Sequence, residues 1–229
     1  MAAARPPHRR AAVTQTRSVR VPVRSGAALD GDLTVPPDAT ALVAFAHGSG
    51  SSRHSPRNRA VARALQDAGL ATLLVDLLTP PEEQRDAVSR ELRFDLRLLA
   101  DRLRDVLAWA AADDATGALP AGLFGASTGG GAALVAAAAD PARVRAVVSR
   151  GGRPDLAGDA LPDVQCPVLL LVGGRDETVL RLNEQARARM TAPVELTVVP
   201  GAGHLFEEPG ALEQVATHAV TFFREHLRS

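Results

Sequence analysis

The segment Gly125-Ala126-Ser127-Thr128-Gly129 has the pattern G-x-S-x-G. A serine hydroxyl is a weak nucleophile, so this pattern carries chemistry only when the serine is exposed and a base reaches it. A strained turn between a strand and a helix provides the exposure. Gly122 to Gly125 reads as a short strand, and Thr128 to Ala139 as a helix of small residues, so Ser127 stands at such a junction. The helix N-terminus beneath it adds partial positive charge, which favours a developing oxyanion. A glycine-rich turn with an incidental serine is the alternative, and the flanking elements weigh against it.

The base comes from six histidines. His8 lies near the start, and His218 and His226 fall within the last helical stretch. His47 and His54 lie in the loop after the third strand. His204, in Gly201-Ala202-Gly203-His204-Leu205-Phe206, directly follows the last strand, where a glycine-flanked loop can swing an imidazole over the sheet edge. The acid should follow a strand between nucleophile and base. Val172-Gly173-Gly174-Arg175-Asp176-Glu177 does so; Asp176 is the best placed carboxylate and Glu177 the fallback. Asp176 would hold the His204 tautomer and stabilise its imidazolium. Each residue has an ordinary alternative: His204 could bond a backbone carbonyl, and Asp176 could cap the helix expected from Thr178.

Acyl transfer places negative charge on a carbonyl oxygen, which two backbone N–H groups usually meet. Thr128, after the candidate nucleophile, and Ser49, in His47-Gly48-Ser49-Gly50, are the expected donors. One base suffices, so His47 is read as a structural histidine that ties its loop down.

These loops need a scaffold. Val19 to Val23 and Leu29 to Val35 read as two strands joined by a turn at Ser25 and Gly26. Further strands are expected at Ala41–Ala46, Ala71–Leu77, Val144–Ser149, Pro167–Val172 and Val194–Val199, with helices at Arg57–Ala68, Thr178–Met190 and Ala211–Arg228. Glu82 to Ala112 reads as one long helical region, interrupted near its start. Continuous apolar strands alternating with helices imply an α/β fold: a mainly parallel twisted sheet, helices on both faces and an antiparallel N-terminal edge. In such sheets ligands bind beyond the carboxyl ends of strands, where all the candidate residues lie. Residues 1–15 are expected to be a flexible arm and 16–229 a single domain. About fifteen residues separate Ser149 from Pro167, too few for a lid domain, so an open site is expected.

Composition narrows the function classes. The 26 basic and 26 acidic residues cancel, which argues against nucleic acid as a partner. Every basic residue is arginine, so Schiff-base lysine chemistry and a Walker-type phosphate loop are excluded. The single cysteine, Cys166, permits no intrachain disulfide, which suits a cytoplasmic location. It precedes Pro167 at a strand entrance and reads as core filler. Neither a secretory leader nor a membrane span is expected. No metal-ligand spacing is present, so no metal or cofactor is expected.

Taken together, His47-Gly48-Ser49-Gly50-Ser51-Ser52, Gly125-Ala126-Ser127-Thr128-Gly129, Ser149-Arg150-Gly151-Gly152-Arg153, Gly173-Gly174-Arg175-Asp176 and Gly201-Ala202-Gly203-His204 resemble the α/β-hydrolase superfamily, and more narrowly the small dienelactone-hydrolase-like proteins. The likeness runs from about residue 20 to the end. It implies a serine esterase of small or accessible substrates (a carboxylesterase, EC 3.1.1). Dienelactone hydrolases themselves carry a cysteine where this chain has Ser127. An acyltransferase on the same triad, and a non-catalytic ligand-binding module, remain open alternatives. Oligomeric state is not legible.

Arg53, Arg150 and Arg153 stand in the loops at the expected mouth. Arginine grips carboxylate or phosphate through paired donors, so an anionic group near the scissile ester is one reading. The other, preferred here, pairs these arginines with Asp155, Asp159 or Asp76 to fix loops, since arginine must do every cationic job in this chain.

Overall fold

The computed structural model describes residues 14–228. The arm expected over residues 1–15 lies outside them except for Thr14 and Gln15, and Gln15 already begins the first strand. Eight strands, β1 Gln15–Pro22, β2 Ala28–Val35, β3 Leu42–Ala46, β4 Ala71–Val75, β5 Ala121–Ala126, β6 Val144–Arg150, β7 Val168–Gly173 and β8 Val194–Val199, form one sheet in the order β1-β2-β4-β3-β5-β6-β7-β8. The β1–β2 and β2–β4 pairs are antiparallel, and every later pair is parallel. The expected fold class therefore stands: α/β, with an antiparallel N-terminal edge.

Strands β3, β4 and β7 are buried along their whole length, as continuous apolar runs covered on both faces should be. Two cores result. Helices α1 (Pro56–Asp67) and α6 (Ala211–His226) pack Val61, Leu65, Val215 and Phe223 against one face. Helices α3 (Leu96–Ala112) and α4 (Thr128–Ala139) pack Leu103, Val106 and Leu134 against the other, joined by Ala186 of α5 (Glu177–Arg187). Phe45 and Phe124 touch beneath the serine turn, ring centroids 4.9 Å apart, so the platform under it is tightly filled.

The stretch read as one helical region from Glu82 is two helices. Helix α2 (Pro80–Ser89) ends at Arg90, in the left-handed region at φ 58°, and a 3₁₀ turn at Leu92–Phe94 leads into α3. No proline or glycine marks the break. Side chains make it: Asp86 accepts the Arg93 N–H at 3.1 Å, and Asp95 caps α3 by accepting the Leu98 N–H at 2.9 Å. Between β6 and β7 the chain forms 3₁₀ turns over Pro154–Asp163, kinked at Gly158, with no room for a lid domain. Among the described residues, no helix is long and apolar enough to cross a membrane.

Candidate active site

Ser127 joins β5 to α4 with φ 51° and ψ −123°, a backbone conformation rare for a residue with a side chain. Such strain costs about 1–3 kcal/mol and persists only where surroundings enforce it. Here they do. The Ser127 N–H donates to the Arg150 carbonyl at 3.2 Å, and its carbonyl accepts from Gly130 at 2.9 Å and Arg153 at 3.1 Å. The flanking glycines permit the tight turn: a Cβ on Gly129 would lie 2.3 Å from the Ala46 carbonyl oxygen, and one on Gly125 2.5 Å from that of Gly129. Ser127 is left partly exposed at the carboxyl end of β5.

Asp176 occupies the N-cap position of α5, yet its side chain makes no capping bond. Its Oδ2 instead faces His204 Nδ1 at 2.6 Å. A carboxylate only accepts, so Nδ1 carries the proton and Nε2 is left as the acceptor. Glu177, the fallback acid, is exposed and lies 4.0 Å from Arg181. Two further residues, not singled out from sequence, brace this pair: Arg175 forms an ion pair with Glu208, and Glu208 accepts the Gly203 N–H at 3.1 Å. The loops carrying Asp176 and His204 are thus clasped from both sides. The Glu208 carboxyl is held below its usual range by its own N–H, that of Gly203 and Arg175. Its position four residues beyond His204 is the single sequence hint to this role.

The segment Arg150–Arg153 runs between the candidate nucleophile and base. A Cβ on Gly151 would lie 3.6 Å from His204 Nδ1, while Arg153 bonds Ser127. Among the described residues the Ser127 hydroxyl makes no hydrogen bond, to His204 or otherwise. Such contacts often close only when substrate is bound.

His47 accepts the Leu77 N–H at Nε2, 3.1 Å, so its Nδ1, 2.9 Å from the Gly48 carbonyl oxygen, is the donor. Both ring nitrogens are used, and burial lowers the His47 pKa, keeping the ring neutral. His47 thereby ties the β3–α1 loop to the end of β4. A Cβ on Gly48 would meet Ser127 Cβ at 3.2 Å, which brings Ser49 beside the serine turn. Neither the Ser49 nor the Thr128 N–H has a hydrogen-bond acceptor among the described residues. Two free amides flanking a serine hydroxyl can receive a developing oxyanion.

A cavity of about 480 Å³ opens beside this loop, lined among others by Ser49, Ser52, Pro56, Leu78, Glu83, Asp86, Arg93 and Leu99. Helix α2 thus contributes Glu83 and Asp86 to a wall that its sequence did not advertise. The three mouth arginines differ. Arg53 is held by Asp76 and, at 3.7 Å, by Asp32. Arg153 makes two 2.8 Å bonds to Asp155. Arg150 is 7% exposed, and its Nε and Nη1 are buried with no partner. Cys166 is buried at the start of β7, and burial raises its thiol to about 11. Among the described residues, no three His, Cys, Asp or Glu side chains are grouped to hold a metal ion.

A model of the dienelactone hydrolase family matches residues 32–226. The crystal structure of a dienelactone hydrolase from Anabaena variabilis is 55% identical, covers 94% of this chain and 99% of its own, and superposes with a TM-score of 0.92. Est1E from Butyrivibrio proteoclasticus, 19% identical over 91% of this chain and 98% of its own with a TM-score of 0.76, shares the fold. A Mycobacterium tuberculosis protein named "Putative phosphoribosyl transferase" is 61% identical over 197 residues, 86% of this chain but 44% of that protein. The chain therefore spans less than half the length of these curated relatives.

Proposed function

The chain belongs to the dienelactone hydrolase family, and from that premise we propose that it is a serine hydrolase cleaving carboxylic esters of small or accessible substrates, with Ser127 as nucleophile, His204 as base and Asp176 as the acid that orients it. The observation that carries this reading is the 2.6 Å contact of Asp176 with His204, made by a carboxylate that forgoes capping its own helix.

In this mechanism Ser127 Oγ attacks the ester carbonyl carbon while His204 Nε2 takes the hydroxyl proton. The carbonyl oxygen gains the negative charge, and the Ser49 and Thr128 N–H groups stabilise it. Collapse expels the alcohol, which receives the proton from His204, and leaves an acyl group on Ser127. Water then repeats the sequence, with His204 as base, and releases the acid. Asp176 keeps the Nδ1 proton in place and stabilises the imidazolium formed in each half. Cys166 takes no part: it sits at a strand entrance, and a thiol raised to about 11 supplies almost no thiolate at neutral pH.

The phosphoribosyl transferase name belongs to relatives more than twice as long as the matched span, and no residue of this site calls for ribosyl chemistry. A small-molecule ester remains the proposed substrate, and a cytoplasmic setting the proposed one.

The test is hydrolysis of p-nitrophenyl acetate and butyrate by the wild type, Ser127→Ala and His204→Ala, with fluorophosphonate labelling alongside. Loss of turnover in both variants, and of labelling in Ser127→Ala, supports the triad. A folded wild type that neither turns over esters nor takes up the probe overturns it.

A further inference from the structure

Asn183 is wholly buried in helix α5, yet only half of its amide is used. Nδ2 donates to the Val179 carbonyl at 2.7 Å and to the Gly152 carbonyl at 3.1 Å. Oδ1 is enclosed without a partner among the described residues. Burying an unpaired amide oxygen opposes folding, so an apolar side chain would serve the helix better there. The Val179 carbonyl lies one turn back on the same helix, where the α-helical pattern already supplies a donor. The bond that leaves the helix is the one to Gly152. Among the described residues it is the only hydrogen bond that the Gly152 carbonyl receives.

That carbonyl is one half of a planar peptide unit. The other half is the Arg153 N–H, which donates to the Ser127 carbonyl at 3.1 Å. The Ser127 carbonyl in turn shares a planar unit with the Thr128 N–H, the candidate oxyanion donor. Two peptide planes therefore stand in series between Asn183 and the oxyanion position. Rotating the first unhooks the Ser127 carbonyl. Rotating the second is a change in the Ser127 ψ, held at −123°, and it re-aims the Thr128 N–H. The Gly130 N–H also meets the Ser127 carbonyl, at 2.9 Å, but from within the same turn; the Arg153 bond is the one that ties this carbonyl to another segment. Donation to the Gly152 carbonyl also polarises the Arg153 N–H and strengthens its bond to Ser127.

We propose that Asn183 is a positioning residue for ester cleavage: through the Gly152–Arg153 peptide it holds the Ser127 carbonyl and so aims the Thr128 N–H at the developing oxyanion. This role rests on the reading of Ser127 as nucleophile. The surrounding packing leaves the relay little slack. A Cβ on Gly152 would lie 1.8 Å from Ser149 Oγ, and one on Gly130 2.4 Å from the same atom, so the segment after β6 and the start of α4 are in direct contact. The Gly151 N–H is anchored on the Leu171 carbonyl at 2.7 Å. The orientation of the next peptide falls to Asn183. Asn183 also stands about two turns beyond Asp176, the N-cap of α5. One helix thus carries the acid that meets His204 at its start and the support of the Ser127 turn farther along.

The experiment uses the full chain with Asn183→Leu, which keeps the volume and removes the donor, and with Asn183→Ala as a smaller replacement should the first fail to fold. On p-nitrophenyl butyrate, kcat should fall about tenfold with KM within about twofold of wild type. Outright loss of an oxyanion donor costs about 10²- to 10³-fold, and here the Thr128 N–H is re-aimed, not removed. Thermal melting gives the readout that a merely structural asparagine would not move. Ser127→Gly relieves the strain at φ 51° and should raise the wild-type Tm by about 2–4 °C. In the Asn183→Leu background, where the turn is released, the same change should gain less than about half of that. Ala186→Gly, buried in the same helix but outside the relay, weakens α5 through helix propensity and should leave both kcat and the Ser127→Gly gain at their wild-type values. A kcat within about twofold of wild type in both Asn183 variants overturns the relay. So does an equal kcat loss in Ala186→Gly, or a Ser127→Gly gain that is the same with and without Asn183. If the wild type turns over no ester, the nucleophile reading falls, and the melting comparison alone decides whether Asn183 holds the Ser127 turn.

Discussion

Replacing Asp176 by Asn tests the candidate site most directly, because the change is nearly isosteric and removes one charge. The contact at stake is the 2.6 Å bond from His204 Nδ1 to a carboxylate that is 16% exposed, against an imidazole that is 40% exposed. An imidazolium–carboxylate pair about 4 Å between charge centres is worth about 1 kcal/mol in bulk water and about 4 kcal/mol near a protein surface. The mostly buried carboxylate places this pair toward the upper value. Every 1.36 kcal/mol lost from the transition state is tenfold in rate, so kcat should fall about 10²- to 10³-fold. Folding should be little affected, since Asp176 makes no helix-capping bond. The assay is kcat for p-nitrophenyl butyrate, with thermal melting of each variant and Glu177→Gln as the control. Turnover by Asp176→Asn within about threefold of wild type would refute the reasoning. So would an equal loss in Glu177→Gln, because that side chain is exposed and, among the described residues, pairs only with Arg181.

Three other outcomes follow from the same geometry. Ser127→Gly should abolish turnover yet raise unfolding free energy by about 1 kcal/mol in urea, since glycine adopts φ 51° without strain; a fall in stability would mean that Ser127 is not held against its preference. Glu208 has a depressed folded pKa, so its contribution to stability is present above the ordinary glutamate pKa of 4.5 and is lost as pH falls through the lower folded value. The melting-temperature gap between wild type and Glu208→Gln should therefore be open at pH 7 and close on acidification below that range; a gap independent of pH would remove the clasp from the account. Cys166, raised to about 11 by burial, should resist a thiol reagent at pH 8 in the native protein and react on unfolding; rapid native labelling would show that the start of β7 opens.

The sequence by itself carried the backbone plan. Apolar runs fixed which segments are buried strands, and small-residue or three-and-four spacing fixed the helices, because those periods are properties of one chain segment and its two faces. The candidate nucleophile was legible for the same reason: Gly125 and Gly129 flank Ser127, and only glycine tolerates the 2.3 and 2.5 Å approaches found there. Ser127, Asp176 and His204 could each be named because each follows a strand, where the fold class puts its ligands. Pairings between distant segments belonged to the tertiary structure. Asp176 and Glu177 are adjacent carboxylates, and only the position of the 201–210 loop decides that Asp176 meets His204. The break at Arg90 depends on Asp86 reaching Arg93, with no glycine or proline to signal it. The arginines Arg53, Arg150 and Arg153 are the same chemical group in three similar loops. Folding delivers acids to two of them and a phenylalanine ring to the third, because a charge's partner is set by proximity in space, which residue type and spacing do not encode.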